Sequence, residues 1–108
     1  MDSEFLSEMQ KRLVRNFLDM LILMKLRQNA MSGYDLVKFI SKRFDLFISS
    51  GTIYSLLYYS ERQGLTESIE SRRKRVYNLT NEGEERVKRF LKSKDKILGL
   101  ILDLFAGA

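Results

Sequence analysis

The sequence contains neither cysteine nor histidine. That double absence removes thiol nucleophiles, imidazole bases, disulfides and the usual zinc ligands together, and most enzyme chemistries go with them. The carboxylates Glu67, Glu70, Glu82 and Glu84 form no cluster whose spacing marks acid–base catalysis or a metal site, so a non-enzyme without cofactor or metal is expected. Long hydrophobic runs are missing as well. Residues 17–26 and 97–106 are the most apolar stretches and each contains an Asp; each reaches only half of the ~20 residues that cross a bilayer. The acidic N-terminal residues lack the basic, apolar and small-residue order of a secretory signal. A soluble cytoplasmic protein with no membrane partner is the expectation. No internal repeat and no low-complexity linker interrupts the chain.

What is present is a chain of 108 residues, 44% hydrophobic and 31% charged, without the bias that marks disorder. It is long enough for one modest domain and too short for two. A single unit over 1–108 is therefore expected, with an N-terminal helix and a helix-turn-helix with its wing in 1–80 and a dimerisation helix in 81–108. The formal net charge of +5 fits a polyanionic partner, and where the charges sit matters more than their sum.

Apolar spacing predicts one helix, or two joined ones, over residues 4–28. Phe5, Leu6, Met9 and Leu13 form a stripe, whereas Phe17, Leu18, Leu21, Ile22, Met24 and Leu26 are apolar nearly all round. A helix of the second kind needs several neighbours to bury it, and in so small a domain these include a second subunit. Ser32 starts the next helix, with Asp35 completing an approximate capping box, and Leu36, Val37, Ile40 and Phe44 supply its buried face. Residues 44–48 alternate, with Phe44, Leu46 and Ile48 to one side, which predicts a short strand.

The stretch 49–65 is the piece the rest of the chain presents to a partner. Ser49 or Ser50 caps a helix, because a short hydroxyl accepts from an N–H that the first turn leaves unpaired, and Gly64 ends it in a left-handed conformation. Ile53, Leu56, Leu57 and Ser60 recur at helical spacing and face a core. The opposite face carries Gly51, Ser55, Tyr58 and Arg62, flanked by Tyr54 and Tyr59, with Ser50 and Thr52 at its start. Hydroxyls, phenols and a guanidinium can donate to phosphates or base edges.

Residues 65–70 then alternate with Leu65 and Ile69 inward, residues 71–74 form a turn, and 75–79 return as a second strand. Two strands alone are marginal, so Ile69, Tyr77 and Leu79 have to dock on the helices. Four consecutive cations, Arg72, Arg73, Lys74 and Arg75, at a hairpin tip beside a recognition helix read as a basic wing for phosphate or the minor groove.

Thr80 caps a final helix over 81–105, whose opening turns carry Glu82, Glu84 and Glu85 where the helix dipole favours acid. Along it Val87, Phe90, Lys94, Ile97, Ile101 and Leu104 alternate at three and four, widened by Leu91, Leu98, Leu102 and Phe105. This is the spacing of a coiled-coil seam, interrupted by Lys94. So broad an apolar face needs cover. The prediction is a homodimer in which this helix, together with Phe5, Leu6, Met9 and Leu13 of the first, packs across a two-fold axis. The fold class expected is mainly α within α+β: a winged helix-turn-helix with a long C-terminal dimerisation helix.

Five segments stand in a familiar order: Phe17-Leu18-Asp19 and the apolar run to Leu23; Ser32-Gly33-Tyr34-Asp35-Leu36; Ser49-Ser50-Gly51-Thr52-Ile53-Tyr54; Gly64-Leu65; and Arg75-Val76-Tyr77-Asn78-Leu79-Thr80-Asn81-Glu82-Gly83. In these the chain resembles the PadR family of transcriptional regulators, over positions 13–85. The resemblance implies a winged-helix domain, a dimer clasped by the C-terminal helix, and repression of promoters that carry inverted repeats. It also implies relief of repression by a small-molecule effector, and the short single C-terminal helix resembles the smaller subgroup of the family. Ser50 and Ser55 stand where the family often has proline, and Tyr58 and Tyr59 where it often has basic residues, which shifts phosphate contacts toward the wing. The tryptophan that some smaller members use to stack flat aromatic ligands has no counterpart here.

The function expected is a dimeric, sequence-specific DNA-binding repressor that reads an inverted repeat in double-stranded DNA with helix 50–63 and wing 71–75. Two other classes stay open: an architectural protein that coats DNA with little sequence choice, and a winged-helix interaction module that binds no DNA.

Overall fold

A computed structural model describes residues 3–107; Met1, Asp2 and Ala108, the ends of the expected 1–108 unit, lie outside the described residues. The N-terminal apolar pattern resolves into two joined helices, α1 (Ser3–Asn16) and α2 (Leu18–Gln28). The backbone bends at Phe17 (φ −107°, ψ 20°) without losing helical bonds. The Phe17 N–H donates to the Leu13 carbonyl at 3.0 Å, and the Leu21 N–H donates to the Phe17 carbonyl at 2.9 Å. At this bend the Phe17 ring lies 6.1 Å from that of Phe90. The chain then continues through β1 (Met31–Ser32), α3 (Gly33–Phe44), α4 (Ser50–Arg62), β2 (Thr66–Ser71), β3 (Lys74–Leu79), α5 (Asn81–Lys92) and α6 (Lys94–Ala106).

Three hydroxyls start three of these helices as the local rules require. Ser32 accepts from the Asp35 N–H at 3.1 Å, Ser49 from the Thr52 N–H at 3.2 Å, and Thr80 from the Gly83 N–H at 3.1 Å. Gly64 ends α4 with φ +79°. There the Leu65 N–H reaches back to the Ser60 carbonyl and the Gly64 N–H to that of Glu61, the paired bonds of a glycine-closed helix end.

The main core is filled by Val14, Leu18, Ile22 and Leu26 from α1 and α2, Leu36 and Ile40 from α3, Ile53 and Leu57 from α4, and Tyr77 from β3. Each buried aliphatic side chain contributes roughly 1.5–3 kcal/mol relative to exposure. A second cluster, Leu23, Leu65 and Val87, binds α5 to α2, with Leu79 packed against both clusters. The almost continuous apolar surface of α2 is thus largely consumed within its own chain. The sheet is antiparallel in the order β1-β3-β2, and helices with this sheet make a winged helix-turn-helix.

The structure departs from several local expectations. Residues 44–48 form no strand: Asp45 takes a left-handed conformation (φ 50°) that closes α3. Leu46 and Ile48 are buried as the alternation requires, but no neighbouring strand bonds to them. The third strand is instead Met31–Ser32, opposite Tyr77 and Val76 of β3. Ile69 is exposed, not inward. Register explains this: Thr66 lies opposite Leu79 and Ser68 opposite Tyr77, so the inward set is the even-numbered one. Thr66 tolerates burial because its hydroxyl bonds that of Ser60 at 2.9 Å.

The wing turn is also shorter than expected, since Ser71 and Lys74 pair in the ladder and only Arg72 and Arg73 form the tip. The final helix is two, joined at Ser93 (φ −98°, ψ 5°), whose N–H is shared between the carbonyls of Arg89 and Phe90 at 3.1 Å each in a tightened turn. Val87, at the head of the expected seam, is wholly buried in its own chain, and Leu91 packs on the same cluster.

Candidate nucleic-acid interface

The buried stripe of α4 dictates what the helix can present. Ile53 and Leu57 are fully inside and Ser60 nearly so, which turns Gly51, Ser55, Tyr58 and Arg62 outward, all of them exposed. The Tyr58 side chain is 59% exposed, and neither a core element nor α6 covers it. Tyr59 is exposed on the flank, its phenol accepting from the Gln63 side-chain amide at 3.0 Å. Ser50 opens the helix. The Thr52 hydroxyl lies 2.9 Å from that of Ser49 and so belongs to the cap. Tyr54 is only partly available, because its ring lies against the backbone of Gly33, where any side chain would overlap it.

Helix and wing are tied into one surface by buried and half-buried hydroxyls. Ser60 Oγ donates to the Leu57 carbonyl and bonds Thr66 Oγ1, each at 2.9 Å. The Ser68 hydroxyl donates to the Glu61 carboxylate at 2.7 Å, and Thr80 Oγ1 donates to the Gly64 carbonyl. Among the described residues every buried side-chain nitrogen and oxygen has a partner. The angle between α4 and the wing is therefore held by directional bonds as well as packing.

Of the four wing cations one, Lys74, is held by an ion pair. Lys74 Nζ lies 3.3 Å from Asp35 Oδ2 at the start of α3, anchoring the base of the wing to the helix-turn-helix. The Ser32 hydroxyl, and then the Lys74 ammonium, hold the Asp35 carboxyl below its ordinary value. The Tyr77 phenol, and after it the carboxylates of Glu70 and Glu61, raise the Arg75 guanidinium above its already high range, but among the described residues Arg75 forms no ion pair. Arg72 and Arg73 form the tip outside the ladder, and among the described residues neither forms an ion pair. Both sit in the left-handed region (φ 49° and 68°), a two-residue hairpin turn that suits Asn-Gly far better than Arg-Arg. A non-glycine residue held there costs about 1 kcal/mol or more.

A further surface, formed by α1 and α6, is apolar. In α6 no residue is buried, and Leu98, Leu102, Leu104 and Phe105 are all exposed, as are Phe5, Leu6 and Leu13 of α1. Met9, Phe90, Ile97 and Ile101 are half-buried. Leu13, Phe17, Phe90, Ile97, Leu98 and Ile101 line an open apolar groove of about 450 Å³ with Lys94 and Asp95 at its rim. Among the described residues no helix is long and apolar enough to cross a membrane.

One residue of interest is absent from the sequence-based selection. Phe47, two positions before the Ser49 cap, is 81% exposed between buried Leu46 and Ile48. The same alternation that placed Leu46 and Ile48 on one side puts Phe47 on the other. That signal was available in the sequence and points outward as firmly as inward.

The fold is shared with known proteins. The model of the PadR-like transcriptional regulator family matches residues 22–89. A PadR-like transcriptional regulator from Bacillus cereus strain ATCC 14579 superposes with a TM-score of 0.74 at 24% identity, covering 90% of this chain and 99% of that one. A PadR-family regulator from Eggerthella lenta gives 0.73 at 27% identity, covering 97% and 96%. The Bacillus subtilis PadR structure solved in complex with operator DNA gives 0.64 at 23% identity, covering 68% of this chain and 46% of that one. No curated protein matches the sequence.

Proposed function

This chain belongs to the PadR-like transcriptional regulator family, and from that premise we propose that it is a dimeric repressor that binds inverted repeats in double-stranded DNA. The observation that carries the proposal is the single surface made by the outward side of α4 and the unpaired Arg72–Arg73 tip, tied together by Ser60–Thr66 and Glu61–Ser68. Helix residues Gly51, Ser55 and Tyr58 meet base edges and Arg62 an adjoining phosphate, with Ser50, Thr52, Tyr54 and Tyr59 at the margins. Arg72 and Arg73 reach a flanking phosphate or minor groove, while Lys74 holds the wing in place and Arg75 adds to its field. The B. subtilis relative with operator DNA supports the choice of ligand.

Dimerisation follows from what a lone chain leaves uncovered. The exposed apolar residues of α6 and α1 form a surface that water does not favour, and a second copy supplies the same surface in return. Two α4 helices then face one side of a duplex, about one turn apart. The apolar groove beside Phe17 and Phe90 is of a size that suits a small apolar molecule, and supports a place for an effector at this junction.

Selection of bound duplexes from a random pool, with the mass of the complex measured in solution, tests the proposal. Two chains on duplexes that share an inverted repeat are expected. Retention of duplexes with no common sequence would favour the coating class instead, and retention of none the interaction-module class.

A further inference from the structure

The outward side of α4 is informative in what it omits. Base pairs are discriminated in the major groove chiefly by planar side chains, Arg or Lys on guanine and Asn or Gln on adenine. From Ser50 to Tyr59 the helix carries none of these four residue types. Arg62 sits in the last turn, at the end that points away from base edges in helix-turn-helix docking. Glu61 accepts from Ser68, and Gln63 donates to Tyr59, so both are already occupied. The first turns are left with hydroxyls, a glycine and aromatic rings.

Phe47 adds an independent observation. Phe47 is 81% exposed while its neighbours are buried, and it stands immediately ahead of the helix end that meets base edges. An apolar ring in that place has one apolar partner in the major groove, the thymine 5-methyl group. The wing points the same way. Unpaired arginines at a narrow tip are drawn to the enhanced negative potential of a narrow A·T minor groove.

On the proposed DNA-binding role, we infer that the duplex recognised is A·T-rich, with thymine methyl groups read by Phe47 and Tyr58 and the Arg72–Arg73 tip set in an adjoining narrow minor groove. Phe47 is then a specificity-determining residue outside the recognition helix, and sequence choice comes from methyl contact and groove width rather than amide or guanidinium readout.

The test begins with duplexes retained from a random pool by the wild-type chain. A retained duplex is remade with each half-site thymine replaced in turn by deoxyuridine, which keeps the pair and deletes the methyl. Flanking adenines are separately replaced by diaminopurine, which adds an amino group to the minor groove. The expected half-sites are A·T-rich, and deoxyuridine at two positions per half-site weakens binding about fourfold each, the value of one buried methyl. Phe47→Ala and Tyr58→Ala each lose that sensitivity at one position and keep it at the other. Diaminopurine weakens the wild type but not an Arg72→Ala, Arg73→Ala chain. Both aromatic residues are exposed, and thermal melts of the variants verify an intact fold. Half-sites rich in G·C, or binding indifferent to deoxyuridine, overturn the inference while leaving the DNA-binding role standing. Failure to retain any duplex at low salt overturns both.

Discussion

The ring of Tyr54 fills the space in which a side chain at Gly33 would begin. The first residue of α3 and the second turn of α4 are thereby fitted to each other, which sets how the two helices of the helix-turn-helix cross. Gly33→Ala is expected to lose about 1–3 kcal/mol in denaturant titration, the usual cost of overpacking. Adding Tyr54→Ala removes the clash, so the double variant should lose less than the sum of the single ones. Strict additivity would mean that the two residues do not constrain each other.

Ser60 and Thr66 make a prediction with a recognisable signature. Ser60→Ala leaves the buried Thr66 hydroxyl without its partner and should cost about 1–3 kcal/mol, whereas Ser60→Ala with Thr66→Val should recover part of that loss because no polar group is left stranded. If the pair aligns the wing with α4, DNA affinity falls in the single variant by more than its stability alone explains at temperatures where it is fully folded.

At the tip of the wing, stability and binding are expected to move in opposite directions. Arg72→Asn with Arg73→Gly installs residues that adopt the left-handed turn freely and should stabilise the fold by about 1–2 kcal/mol. The same change removes two cations and should weaken binding to every sequence, lowering the slope of log affinity against log salt by about 2. A variant that is more stable and binds equally well would take the tip out of the interface.

How far these features could be read in advance depends on how local their causes are. Caps at Ser32, Ser49 and Thr80, the left-handed Gly64 and the inward stripe of α4 all follow from neighbours within a turn or two, and each was legible in the sequence. Long-range pairing was not. The two-residue strand Met31–Ser32 exists only because β3 lies beside it, and the phase of β2 turned on Thr66, a polar residue whose burial depends on Ser60. Likewise, four adjacent cations looked equivalent until Asp35 claimed Lys74 and the ladder took Lys74 and Arg75 out of the tip. The break at Ser93 leaves the apolar spacing of the last two helices undisturbed, and so had no periodic signature.

Acid should release the anchor of the wing. Asp35 titrates below its ordinary value of 3.8 because the Ser32 hydroxyl and then Lys74 favour the charged form. A lowered folded-state pKa gives stability that is present above 3.8 and disappears as pH falls through the lower folded value. Asp35→Asn should therefore cost stability at neutral pH and nothing once the wild-type carboxyl is protonated. The loss should be modest, under about 1 kcal/mol, since the pair is exposed. Denaturant titrations of both chains across the acid range check this; an equal difference at all pH values would assign it to something other than the charge.

A charge placed in the uncovered apolar surface should separate the subunits. Ile101→Asp is expected to halve the mass measured by sedimentation and to weaken binding to the inverted repeat by about 10²-fold or more, because the second half-site contact is no longer tethered to the first. Affinity for an isolated half-site should be little changed. A variant that stays dimeric would move the interface away from α6.

The most direct measurement is the ratio of affinities, at one fixed salt concentration, for the selected inverted repeat and for a scrambled duplex of equal length and composition. A dimer that reads bases through α4 should prefer the repeat by roughly 10³-fold or more. Equal affinity for the two duplexes would contradict sequence-specific recognition by this surface.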